Sequence, residues 1–194
     1  MLPIDDLHSD DQAGVAQAAA LLVDAFREHA PAAWPDHASA LDEVREALAP
    51  GRICRAARLP GGAIAGWVGG IPEYGGHVLE LHPLVVRPDL QGRGIGRALV
   101  ADLERQAAAR GIQTLFLGTD DETNRTSLAG ADLYPDVWPH IAAIRNLRGH
   151  PYEFYRKCGF TIVGVLPDAN GRGRPDIFMA KRVGAYPEDT TESK

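Results

Sequence analysis

Only two cysteines, Cys54 and Cys158, stand in the 194 residues, far apart and with no neighbouring His or Cys pair. Metal-ligand spacing is therefore missing, and a reducing compartment is the simpler setting for the chain. No apolar run approaches the length needed to span a bilayer, and the acidic stretch from Met1 to Asp10 lacks the cationic and apolar segments of a secretory leader. A cytoplasmic protein with no membrane partner is expected. Internal repeats are missing as well. Positive charge is in short supply: 20 Lys and Arg against 26 Asp and Glu leave a formal charge of −6. That balance argues against a nucleic-acid surface and leaves room for a cationic ligand, although it also serves solubility. What the chain does have is 45% hydrophobic residues, enough at this length for one sizeable core. A single domain over residues 1–183 is expected, with a polar tail over 184–194 whose last part, Pro187 to Lys194, has too little apolar surface to order itself.

Val15, Ala19, Leu22 and Phe26 recur at helical spacing after the capping candidates Ser9 and Asp11, and Pro31 and Pro35 close that segment. Leu41, Val44 and Leu48 repeat the pattern after Ser39, up to Pro50-Gly51. The period then changes. Arg52 to Leu59 and Ala63 to Ile71 read as strands joined through Pro60-Gly61-Gly62, and a third strand runs from Val78 to Val86. Ile95, Leu99, Leu103 and Ala107 mark one face of a helix ending at Gly111, and Ile112 to Leu117 is short enough to be a buried strand. Pro151 and Gly159 bracket a last helix, followed by strands near Phe160 to Leu166 and Asp176 to Val183. Residues 121–148 give no clear pattern. The sum is an α/β (α+β) fold, a mixed sheet flanked by helices.

The strongest local signal is Gln91-Gly92-Arg93-Gly94-Ile95-Gly96-Arg97, set between a strand and an amphipathic helix. Glycines let backbone N–H groups approach a phosphate, the helix N-terminus adds positive potential, and Arg93 and Arg97 add charge. A Gly-rich turn with solvated arginines, or a nucleotide loop of another kind, competes with this reading. The segment has no Gly-Lys-Ser/Thr, and its glycines do not follow the spacing of dinucleotide folds. Upstream, alternation puts Val78, Glu80, His82, Leu84 and Val86 on one face of the strand, and Pro83 should break or bulge its pairing. Glu80 could be a solvent-facing strand residue and His82 a structural histidine. A short helix then carries Phe154-Tyr155-Arg156-Lys157-Cys158-Gly159-Phe160, where Tyr155 could simply pack in the core.

The Gln-x-x-Gly-x-Gly spacing, followed by Phe-Tyr-x-Lys-x-Gly-Phe, resembles the GNAT superfamily of N-acetyltransferases. The likeness implies a mostly antiparallel sheet with one parallel strand pair at the cofactor site. It implies acetyl-CoA as cosubstrate and no metal, with the pyrophosphate on Gln91, Gly92, Arg93, Gly94, Ile95, Gly96 and Arg97. Pantetheine would lie along Leu84, Val85 and Val86, and Tyr155 beside the sulfur as candidate acid for the thiolate. Many such enzymes carry Asn seven positions before that tyrosine, where this chain has Arg148.

Longer stretches, among them Gly70 to Gly75, Glu80 to Val86, Gly118 to Asp121, His150 to Tyr155 and Val163 to Asp176, resemble aminoglycoside 6′-N-acetyltransferases, over roughly residues 64–182. That likeness puts Glu80 and His82 beside the incoming amine and has Trp34, Tyr74 and Asp120 line the acceptor site. It implies a role in antibiotic resistance and, by family analogy, a homodimer. Asp168 departs from the subgroup's Asn. The acceptor would be a polycation drawn by Glu73, Glu80, Asp120, Asp121 and Glu122, with Glu80 as first candidate base and His82 as second. A GNAT enzyme acting on a protein amine or a polyamine, or a non-catalytic acetyl-CoA sensor, would share the cofactor motifs. A closed acidic pocket would mark the drug enzyme and an open groove the peptide enzyme.

Overall fold

The computed structural model describes residues 2–28 and 30–184, so the C-terminal tail read from the sequence lies, but for Gly184, outside the described residues. Seven strands form one sheet: β1 Ile4–Asp6, β2 Ile53–Arg58, β3 Ile64–Glu73, β4 Val78–Val86, β5 Thr114–Asp120, β6 Thr161–Leu166 and β7 Asp176–Arg182. Their order across the sheet is β1-β2-β3-β4-β5-β7-β6. β4 and β5 run parallel, and the other neighbours are antiparallel. The helices are α1 Gln12–Phe26, α2 His37–Ala47, α3 Ile95–Ala109, α4 Val137–Ala142 and α5 Tyr152–Lys157. None is long and apolar enough to cross a membrane among the described residues.

Two apolar layers flank the sheet. On one side α1 and α2 bury Ala18, Ala19, Leu22, Ala40 and Val44 against Ala56, Trp67 and Val85. The Trp67 indole donates to the Ala18 carbonyl at 3.1 Å, which satisfies the one polar atom of that buried ring. On the other side α3 buries Leu99, Leu103 and Ala107 against Leu79, Leu81, Leu115, Leu117, Ile177 and Met179. Between β2 and α3 the Arg55 guanidinium meets the Asp102 carboxylate at 2.6 Å, and both are nearly buried. Each has a second partner as well, Asp6 for Arg55 and Arg105 for Asp102, both at 2.7 Å, so the pair is part of a small ion network.

Several local readings change. α2 is capped by Asp36 rather than Ser39: the Asp36 carboxylate accepts from the Ser39 N–H at 2.8 Å, and the Ser39 hydroxyl faces the Asp36 N–H at 3.4 Å. Ser39 is thus the returning half of a capping box, three residues inside the helix. α1 ends at Phe26, ahead of Pro31. β1 and α4 have no counterpart in the sequence pattern, since β1 spans three residues and α4 only six, with Pro139 in its first turn.

β4 departs most from simple alternation. Its register with β3 runs Leu84 to Val68 and Leu81 to Gly70, so Gly69 alone opposes His82 and Pro83, which are joined by a cis peptide bond. This is the bulge that Pro83 predicts. It shifts the strand's face, so Glu80 and His82 look toward α1 and α2 while Leu84 and Val86 pack on the α3 side and Val85 on the other. The expectation that Glu80, His82, Leu84 and Val86 share one face is corrected accordingly. Gly69 makes room for the bulge: a Cβ there would lie 2.2 Å from the His82 carbonyl oxygen.

Candidate active site

β4 and β5 stay paired only through Val78, Leu79 and Glu80, opposite Thr114, Leu115 and Phe116. Beyond Glu80 the two strands separate, since β4 runs on to Val86 and β5 to Asp120. The β5-facing edge of β4 from His82 to Val86 is therefore without a strand partner, and half of its backbone polar groups point into the gap. Directly after β4, the loop turns through left-handed backbone at Gly92 (φ 73°) and Gly94 (φ 84°) and enters α3, whose first turn has no side-chain cap. The N–H groups of that turn face outward with no intrahelical partner. Gln91 braces the loop, its amide donating to the Val86 carbonyl at 3.2 Å. Uncapped N–H groups at a 15-residue helix, left-handed glycines on the approach, and Arg93 and Arg97 beside them fit a diphosphate.

Tyr155 lies on α5, which packs near the start of α3, as the 3.3 Å from a notional Gly96 Cβ to the Phe154 ring shows. Its ring stacks edge-on with Phe154 and Phe160 at 5.1 and 5.8 Å. Burial raises the phenol above the usual tyrosine range, so at neutral pH the hydroxyl keeps its proton. The helix start is held by His150, which is buried: its Nδ1 accepts from the Tyr152 N–H at 3.2 Å, and its Nε2 lies 3.0 Å from the Asp120 carbonyl. Those partners assign the proton to Nε2, and desolvation lowers the pKa of the ring.

On the opposite side of the gap the sheet itself makes a floor. Glu80 pairs with Phe116, and Phe116, Gly118 and Asp120 pair in turn with Ala180, Phe178 and Asp176, so these side chains share a face. Asp176 leans over Gly118, where a Cβ would come within 2.6 Å of its carboxylate. One of its oxygens is buried with no hydrogen-bond partner among the described residues. Desolvation, with the negative charge of Asp120 beside it, pushes the Asp176 carboxyl up to about 6. Asp120 is exposed, and one of its oxygens accepts from the Asn170 side chain.

Above this floor stands His82, its side chain 45% exposed, with Nε2 3.6 Å from a carboxylate oxygen of Glu43 on α2. Trp34, from the segment between α1 and α2, lies 6.2 Å from the His82 ring and packs edge-on against Phe26 at 4.7 Å. Glu43 raises the pKa of His82, and His82 in turn lowers that of Glu43.

Trp34, Glu80, His82 and Asp120 thus lie about one face, and Gly92 to Arg97, Leu84 to Val86 and Tyr155 surround the strand gap. Tyr74 sits at the end of β3, 78% exposed and at positive φ, ahead of Gly75 and Gly76. Asp121 does not belong to the acidic surface: it is fully buried, and its carboxylate accepts from the Arg125 and Thr126 N–H groups at 2.7 Å each, which ties the loop after β5. Arg148 is engaged through its backbone, exchanging bonds with Arg125. Asp168 shapes a turn, accepting from the Gly173 N–H at 2.6 Å. Glu43, Asp176 and Asn170 were not singled out from the sequence. Asn170 lies two residues after Asp168 in the run Asp168-Ala169-Asn170-Gly171; the other two are brought in by long-range packing.

Neither cysteine has an activated thiol: burial pushes Cys54 up to about 12 and raises Cys158 as well. Two surface hollows of about 370 and 380 Å³ lie elsewhere, along α1, and contain none of these residues. Asp120 is exposed and His82 is partly exposed, so this face of the sheet is open to solvent there.

The sequence matches the acetyltransferase (GNAT) family over residues 19–130. A solved aminoglycoside 6′-N-acetyltransferase complexed with coenzyme A is 41% identical with a TM-score of 0.88, over 96% of this chain and 100% of that one. An aminoglycoside 6′-N-acetyltransferase from Enterococcus faecium is 40% identical with a TM-score of 0.86, over the same shares. An aminoglycoside 6′-acetyltransferase type Ii is 36% identical with a TM-score of 0.74, over 96% and 100%. No curated protein sequence matches the chain.

Proposed function

Because the chain belongs to the acetyltransferase (GNAT) family and its chemistry is acetyl transfer, we propose that its donor is acetyl-coenzyme A and its acceptor the 6′-amine of aminoglycosides. The observation that carries this reading is identity of 36–41% over nearly the whole chain with three aminoglycoside acetyltransferases. The acidic floor of Glu80, Asp120 and Asp176 supports it, since an aminoglycoside is a polycation and opposite charge steers and orients it.

Gly92, Gly94, the first turn of α3, Arg93 and Arg97 would hold the diphosphate of the donor, and the open edge of β4 its amide arm. Bound there, acetyl-coenzyme A supplies a thioester carbonyl for the amine. Glu80 faces the acceptor and removes a proton from its ammonium, which frees the lone pair for attack. His82 lies on the same face but is held toward its cationic form by Glu43, so the base role falls to Glu80. N–H groups of the bulged strand around Leu84 to Val86 donate to the carbonyl oxygen as charge builds there. A carbon–nitrogen bond forms and the carbon–sulfur bond breaks; Tyr155, protonated until then, gives its proton to the departing sulfur, and the second proton shed by the nitrogen restores the tyrosine hydroxyl through water. Holding both reactants across one strand gap provides most of the rate. Acetylation of that amine would serve antibiotic resistance, in a cytoplasmic and, by family analogy, homodimeric enzyme.

A thiol-release assay with acetyl-coenzyme A tests the reading against aminoglycosides with and without a 6′ amine, polyamines and basic peptides. Turnover confined to drugs bearing the 6′ amine is expected. Turnover of peptides or polyamines alone would contradict it.

A further inference from the structure

Glu43 is a carboxylate that the chemistry above does not use, yet it stands where two acceptor-side residues converge. Its side chain is 19% exposed, against 45% for His82, so it points inward from α2 toward the sheet. It reaches His82 Nε2 at 3.6 Å, and the Trp34 side chain is among the groups that lower its pKa. Trp34 in turn lies 6.2 Å from the His82 ring. Glu43 on α2 and Trp34 from the inter-helix segment therefore both converge on the residue that opens the β4 bulge.

We propose that Glu43 is a positioning residue of the acceptor site, which fixes the His82 imidazole by its Nε2 edge, anchors Trp34 beside it, and so leaves Nδ1 and the ring face toward the acceptor. This rests on the acetyltransferase reading above, but it concerns residues whose state can be measured without any acceptor. The charged groups facing His82 are Glu43 from α2, Glu80 from its own strand and Arg52 from the segment between α2 and β2. Both carboxylates favour the imidazolium and Arg52 opposes it, so the pair acts as a cation compensated by Glu43. Glu80 is thereby left as the acceptor's own counter-charge. A neutral amide at position 43 would keep the shape of the contact and lose its charge.

The test is Glu43→Gln, read by NMR titration of the His82 ring in the full-length protein without acceptor. The midpoint in the unsubstituted protein is expected above that of an ordinary histidine, and the substitution should lower it. Trp34 emission should shift at the same time. In turnover, Glu43→Gln should raise the acceptor KM several-fold while leaving the coenzyme KM unchanged, and that effect should vanish in a His82→Gln background, because Glu43 acts through the imidazole. An unshifted His82 midpoint, or effects of the two substitutions that simply add, would overturn the proposal. Should Glu43→Gln fold poorly, a His82 midpoint in the unsubstituted protein at or below the ordinary value would overturn it equally. Failure of drug turnover with an intact His82 shift would instead count against the acceptor assignment alone.

Discussion

Asp176→Asn should make the protein more stable at neutral pH while weakening its hold on cationic acceptors. Asp176 faces Asp120 across the β5–β7 ladder, and one of its oxygens is buried without a partner among the described residues. Its carboxyl is pushed from 3.8 up to about 6, chiefly by desolvation. The folded state thus holds this proton more tightly than the unfolded chain does. Between about pH 4 and pH 6 the unfolded carboxyl has ionised and the folded one has not, so stability falls as pH rises through that window and then levels off. A shift of this size corresponds to about 3 kcal/mol at most. An asparagine removes the charge but leaves its own buried polar atoms short of partners, which returns about 1–2 kcal/mol of that gain. The net expectation is a gain of about 1–2 kcal/mol above pH 6.5, or a Tm higher by roughly 2–8 °C for a chain of this length. Thermal unfolding of both proteins from pH 4 to pH 8 is the assay. The unsubstituted protein should lose stability across pH 4–6 relative to the variant, and the curves should cross. A variant that is less stable at pH 7.5, or that keeps the same pH dependence, would refute the reasoning. A cationic acceptor should also draw the proton from Asp176, so its KM should rise several-fold in the variant.

Tyr155→Phe should slow turnover by less than about tenfold at neutral pH, because a thiolate leaves readily and water can supply the proton; steady-state kcat on a correctly folded variant decides, and complete loss of activity would show a larger role. Glu80→Ala should lower kcat/KM for aminoglycosides by about 100-fold or more while coenzyme binding, followed by calorimetry, changes little; equal losses in both would remove it from the acceptor side. Gly69→Ala brings a Cβ to 2.2 Å from the His82 carbonyl and should destabilise the fold by about 2–4 kcal/mol, as measured by denaturant unfolding.

Much of this was legible in the chain itself. β4 runs from Val78 to Val86 as its composition indicates, and Pro83 announces the bulge, because the physics at issue is local. The glycines before α3 take the left-handed backbone that their spacing suggests. Side-chain direction after the bulge was not legible, since a two-against-one register depends on Gly69 in the neighbouring strand. Asp121 looked like one more surface carboxylate among Asp120, Asp121 and Glu122; only the closure of residues 121–126 onto its oxygens turns it inward. Glu43 and Asp176 carry no local mark at all. They are separated from His82 and Asp120 by long stretches of chain, and the sheet and α2 bring them together.

In the proposed mechanism the strand gap beyond Glu80 aims the donor at the acceptor floor, and a crystal structure with bound coenzyme A examines that directly. The expected density has the diphosphate on the N–H groups of Gly92 to Gly96 and the sulfur between the separated ends of β4 and β5, within reach of the Tyr155 hydroxyl and on the side of Glu80. A diphosphate bound away from this loop, or a sulfur on the far side of the sheet from Glu80, would contradict the mechanism at its root.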